Sequence, residues 1–150
     1  ARYWIHGLQL TVSDWVAEIH DIHHPIGPSL YYHQQEAEAR RRAAVFHQQR
    51  LPRFLAYFER VLELNPAGPE YLAGGEHCYA DLSLFQVIRG LQYAFPRTMN
   101  THRARIPRTL TLVERVAARP GIQAYLQSDR RQPFNESGIF RHYPELDTVA

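Results

Sequence analysis

The chain has 150 residues, 45% of them hydrophobic and 21% charged, with a formal net charge of +2. That suits one globular domain, which at this length buries roughly 70% of its unfolded surface. No stretch approaches the roughly 20 apolar residues needed to span a bilayer, which argues against a membrane protein. The amino end, ARYWIHGLQL, lacks a basic segment followed by an apolar core, so no signal peptide is expected there. All 17 basic residues are arginine. We read this as a GC-rich, bacterial coding sequence and not as a functional device. Arg40, Arg41 and Arg42 follow Glu36 and Glu38, the pattern of a solvated helix face, so no nucleic-acid partner is expected. The single cysteine, Cys78, excludes an internal disulfide and fits a reducing, cytoplasmic setting.

The first element is a helix. Ile5, Leu8, Val12, Trp15, Ile19 and Ile22 recur every three or four residues and form one apolar stripe. It should end near His24, because Pro25 disfavours helical geometry in the residue before it. Gly27-Pro28 then makes a bend. A second helical region runs from about Gln34 to about Leu64, and Pro52 either kinks it or divides it in two. NPAGPEYLAGG is a loop. Leu82, Phe85, Ile88 and Leu91 mark a third helix whose stripe carries no polar residue, so it should be central and buried. Another helix covers Arg108 to Arg119, with Pro107 at its start, and PGIQAYLQS is a last short one. The tail, about 129–150, has no period. Its Phe134, Ile139, Phe140 and Tyr143 carry enough apolar surface to pack back on the helices. With no alternating strand pattern anywhere, the fold class is all-α, one helical bundle over residues 1–150.

EIHDIHHPIG, residues 18–27, invites a metal reading. His20 and His24 are four apart and share a helix face, His23 stands nearby, and Asp21 should point elsewhere. A zinc hydrolase, however, places a glutamate beside the first histidine, where this chain has Asp21. A third ligand such as His142 would also be needed. No metal is therefore expected. A general base is conceivable, since histidine titrates near neutrality, but nothing offers a nucleophile for it to activate. His23, close to a helix carboxy end, reads as a residue serving that end's dipole and last carbonyls.

YLAGGEHCYADLSLFQVIRGL, residues 71–91, resembles the centre of the helical carboxy-terminal domain of glutathione transferases. A glycine-containing turn there leads through a Ser/Thr-x-x-Asp capping box into a long buried helix. RLPRFLAYFERVLE and VAARPGIQAYLQS resemble the flanking elements of that family. SDWVAEIHDIHHP and NESGIFRHYPELD resemble a bacterial, broadly sigma-like subgroup. Asp81 falls three residues after Cys78, where its carboxylate can reach back to a free amide and sit at the favourable end of the helix dipole. A thiol is a weak acceptor, so the reciprocal half of the box should be impaired.

The resemblance implies more than the residues alone do. In that family an amino-terminal thioredoxin-like domain binds glutathione and supplies the thiolate-stabilising residue. This chain has no βαβ pattern and begins at the first helix of the second domain, without a methionine at Ala1. The expectation is a fragment with no catalytic residue of its own. Glutathione would be a cosubstrate of the longer parent, a homodimer acting on small hydrophobic electrophiles. Asp14 would reach the glutathione of the neighbouring subunit. His20 and His24 would line the electrophile pocket, and Phe134 and Phe140 would form its lid. The competing expectation is a non-catalytic dimerisation or docking module of the same fold.

Overall fold

A computed structural model describes residues 2–148. Positions 149 and 150 of the expected tail lie outside the described residues, as does position 1. Seven α-helices follow in order: α1 (Arg2–His23), α2 (Glu36–Val45), α3 (Leu51–Leu64), α4 (Tyr79–Ala94), α5 (Pro96–His102), α6 (Pro107–Ala117) and α7 (Pro120–Leu126). There is no strand among the described residues, and the fold is all-α. Helix α4 is the centre, packed against α1, α5 and α6, while α1 also meets α2 and α3 meets α6.

The apolar stripe of α1 is buried at Leu8, Val12, Trp15, Ile19 and Ile22. Trp15 is wholly buried and stacks on Phe54 (5.0 Å, 6°) and Phe58 (5.8 Å, 13°) of α3. The helix stops at His23, as Pro25 requires. The second helical region is divided into α2 and α3, one of the two outcomes expected from Pro52. A π turn, Phe46–Arg50, joins α2 to α3, and the Leu51 amide bonds back to the Phe46 carbonyl. That wider turn absorbs the ladder position where Pro52 has no amide to give. Arg50 on this turn binds Glu18 of α1 through Nε (2.9 Å) and Nη2 (2.6 Å), a forked contact that holds the turn against the first helix.

Three buried carboxylates close the amino ends of helices. Asp81 accepts from the Cys78 amide at 2.7 Å and from the Leu72 amide at 2.9 Å, tying the preceding loop to α4. The reverse half of this box is present as well, contrary to the expectation from the weak thiol acceptor: the Asp81 amide faces the Cys78 sulfur and also donates to the Cys78 carbonyl at 3.1 Å. Glu59 of α3 accepts from the amides of Arg108 and Thr109 at 3.0 and 2.9 Å, at the start of α6. Asp147 of the tail does the same for Arg97 and Thr98 at 2.8 and 2.9 Å, at the start of α5.

The tail packs back on the bundle. Phe140, Leu146 and Asp147 are buried, whereas Ile139 is exposed. Tyr143 stacks on Tyr32 at 3.8 Å, and the Tyr32 hydroxyl donates to Glu145 at 2.7 Å. Phe140 can seat only because α4 carries a glycine beneath it. A Cβ at position 90 would lie 2.3 Å from the Phe140 ring. Asp81→Ala should lower stability by about 3 kcal/mol, or roughly 10 °C in Tm, since it strands two amides at the entry to α4. Thermal unfolding followed by circular dichroism measures it.

Candidate functional site: a cleft between α1, α4 and the tail

Along α1, Gln9, Ser13 and Val16 recur at helical spacing on the side that turns away from Trp15. On α4, Leu82, Ser83 and Gln86 lie opposite. The tail from Gln132 to Phe140 runs across one side, and the three walls enclose a cleft of about 690 Å³. Its lining is mostly aliphatic and aromatic, with amide and hydroxyl groups and no charged side chain. Phe134 and Phe140 both line it, in edge-to-face contact at 5.9 Å, and Phe134 is backed by Tyr93 at 5.1 Å. Such a lining favours apolar ligands fixed by a few hydrogen bonds.

The α1 stripe continues past the cleft into His20 and His24. Their rings are stacked at 5.3 Å and 13°, and His23 stands edge-on to both. His20 and His24 are thus brought together at the end of α1, but neither lines the cleft itself. Asp21 does not point elsewhere as expected: its Oδ1 lies 3.3 Å from His20 Nδ1, because neighbouring side chains at a helix end can fold toward each other. His23 is buried and serves a distant partner, not its own helix end. Its Nε2 donates to the Ile139 carbonyl of the tail at 2.8 Å. Burial first, then Arg141, His24 and His20, hold its pKa down at about 4. His24 is lowered too, by burial first and then by Arg141 and His20.

Two more histidines fasten the tail. His47 Nε2 donates to the Leu146 carbonyl at 2.8 Å, and His142 Nδ1 donates to the Ala94 carbonyl at 3.0 Å. His142 is thereby engaged at the end of α4. Among the described residues no group of three histidines, cysteines or carboxylates is arranged to hold a metal ion.

Asp14 is exposed on α1, about 100° round the helix from Ser13 and about 140–160° from Gln9 and Val16, so it lies on a face turned away from the cleft. Cys78 and Asp81 meet at the start of α4, away from the cleft lining. Burial, and then the Asp81 carboxylate, push the Cys78 thiol up, which makes it a poor nucleophile at neutral pH. The sequence reading missed Gln9, Ser13, Ser83 and Gln86, which with Gln132 and Asn135 of the tail give the cleft its polar groups. The only mark of those first four is helical spacing, which any solvated face shares. Gly90 carried a better signal, being a glycine inside a buried helical stripe.

With this geometry in view, residues 20–129 match the family described as Glutathione S-transferase, C-terminal domain, and the chain belongs to that family. Among proteins it is similar to are Glutathione S-transferase P 1 of Bufo bufo, 30% identical over 90 residues, and Glutathione S-transferase P 1 of Xenopus laevis, 32% identical over 81 residues. The matches cover 59% and 54% of this chain. They cover only 41% and 36% of those proteins, so the chain spans about two-fifths of the curated relatives it matches. No helix among the described residues is long and apolar enough to cross a membrane.

The buried histidines make stability depend on pH. His23 titrates at about 4 in the fold and at 6.5 when unfolded, so the unfolded chain takes up the proton first as pH falls. The stability this provides is complete above pH 6.5 and is lost between 6.5 and about 4. Urea unfolding across that range should show a loss on the order of 3 kcal/mol, less in His23→Gln.

Proposed function

We propose that this chain is the electrophile-binding helical domain of a glutathione transferase, working joined to a domain that binds and activates glutathione. The carrying observation is the uncharged cleft walled by α1, α4 and the Phe134–Phe140 tail. The transferase reaction is attack of the glutathione thiolate on an electrophilic carbon. The electrophile's leaving group departs with the bonding electrons, and the thiol proton goes to solvent. An uncharged, apolar pocket suits the electrophile, and the thiolate must come from the other domain, because Cys78 is capped, half-buried and raised in pKa.

Each residue has its part in this reading. Phe134 and Phe140 form the lid over the apolar body of the electrophile. His20 and His24 form the wall where α1 leaves the cleft. Asp14, exposed on the face of α1 that turns away from the cleft, pairs with the α-ammonium of glutathione held by a second subunit of a homodimer. The same reading places the protein in the cytoplasm, where its lone thiol stays reduced.

Two assays test it. Alone, the chain should conjugate glutathione to a chlorodinitrobenzene no faster than the uncatalysed reaction, whereas the chain joined to its glutathione-binding domain should be active. In that longer protein, Asp14→Asn should raise the KM for glutathione about tenfold, the loss of one charge-assisted contact, with little change in kcat. An inactive longer protein would favour the docking-module alternative. Activity in the chain alone would place the chemistry where this reading has none.

A further inference from the structure

Residues 82–113 carry Arg89, Arg97, Arg103, Arg105 and Arg108 and no aspartate or glutamate, the longest acid-free stretch of the chain. Arg108 is neutralised by Glu59 at 3.3 Å and by Glu63 at 3.7 Å. Arg97, Arg103 and Arg105 are exposed, and their side chains have no ion pair or hydrogen bond among the described residues. Asp147 does not pair with them: it is buried, and its oxygens are taken by the Arg97 amide and by Thr98. Arg103 lines two adjoining hollows of about 210 and 540 Å³, sharing both with Asn100 and Leu110. The smaller hollow has an aliphatic floor of Met99, Ile106 and Leu110, with Gln92 and Asn100 also in its lining. Neither of those side-chain amides has a hydrogen-bond partner among the described residues. No carboxylate and no aromatic ring lines either hollow. The Arg108 and Thr109 amides at the start of α6 are already taken by Glu59, so an anion here has to be met by arginine side chains.

We propose that this face between α5 and α6 docks an acidic, extended segment of a partner protein, with one apolar side chain of the segment anchored in the smaller hollow. Three features of the face match three parts of such a ligand. The unpaired arginines complement its carboxylates. The free amides of Gln92 and Asn100 take up main-chain N–H and C=O groups, which an extended segment leaves unpaired. The aliphatic floor receives the anchor. Nucleic acid would bring negative charge, but its bases would find no ring to stack on. An anionic bilayer would meet no large apolar side chain to insert, because Met99 and Ile106 are buried. Arginine stays charged at any physiological pH, so the attraction does not depend on titration. The face shares no residue with the cleft, and its test is independent of the transferase reading.

Amide chemical shifts of the nitrogen-labelled chain, titrated with the end-capped peptide Asp-Glu-Phe-Glu-Asp, test the proposal. The amides of Asn100, Arg103, Ile106 and Leu110 should move together, while those of Ser83 and Phe134 in the cleft stay still. At low salt this peptide should bind about tenfold tighter than Asn-Gln-Phe-Gln-Asn, the sum of several exposed ion pairs. It should also bind about tenfold tighter than Asp-Glu-Ala-Glu-Asp, the loss of one buried apolar anchor. In about 0.5 M salt the first preference should shrink toward unity while the second holds. Arg103→Gln should cut the first preference to roughly threefold, leave the second, and keep the wild-type Tm, since the side chain is exposed and unpartnered. Equal affinity for the acidic and neutral peptides at low salt overturns the proposal. Equal affinity for the phenylalanine and alanine peptides overturns it too, leaving only diffuse charge attraction. Phenylpropionate binding as tightly as the peptide would assign the hollow to small carboxylates. A single-stranded oligonucleotide binding these residues more tightly than the peptide would assign the face to nucleic acid. Either of those results also overturns the proposal.

Discussion

Every α-helix begins with amides that have no partner in the helix, and a buried helix start must find one elsewhere. This bundle meets that constraint at three helix starts with buried carboxylates: Asp81 for α4, Asp147 for α5 and Glu59 for α6. For α5 and α6 the residue at the cap position is Phe95 or Ile106, neither of which has a side chain able to accept. The carboxylate therefore comes from some 50 residues away, and the local need of a helix end becomes a long-range tie. Thr98 and Thr109 strengthen the ties by adding hydroxyl donors at 2.7 and 2.9 Å. The proline that opens each of these helices removes one amide from those needing a partner.

The ties also build the cleft. Asp147 anchors the far end of the tail on α5, and Leu146 is fixed beside it by His47. The near part of the tail is then held across α1 and α4 by His23 and by Phe140 seated over Gly90. The tail is aperiodic in sequence, yet it is ordered at points where a backbone carbonyl meets a buried donor. The tail is thus held by carbonyl contacts to His23 and His47 and not by a helix of its own. The floor of the cleft, by contrast, belongs to α1 and α4 and is as rigid as the bundle.

The sequence exposed what repeats and hid what does not. Apolar spacing located α1, α4 and α6, and the proline signals placed the end of α1 and the start of α6 to within a residue. Helix α5 escaped, because PRTMNTH is seven residues with no stripe, and it is stabilised by a carboxylate distant in sequence. The π turn escaped as well: Pro52 announced a disturbance, but the repair lies in the backbone of Phe46–Arg50. Phe134 and Phe140 were legible as apolar residues without a helix to bury them, and they do line the cleft. The role of His23 was not legible, since its partner is a carbonyl 116 positions away and no side-chain pattern marks a carbonyl. His20 and His24 were read as a pair, and the fold does stack them, with His23 edge-on to both.

The family supplies the transferase reading, while the carboxylate ties explain how this particular sequence holds the scaffold together. Hydrogen exchange at four amides examines those ties most directly: Leu72, Cys78, Thr98 and Thr109. Amides in loops and first helical turns ordinarily exchange through local fraying. If the carboxylates close these ends as described, all four should exchange only as fast as the core of α4, through global unfolding. Exchange at the rate of the exposed helix surface, with the α4 core still protected, would contradict the account.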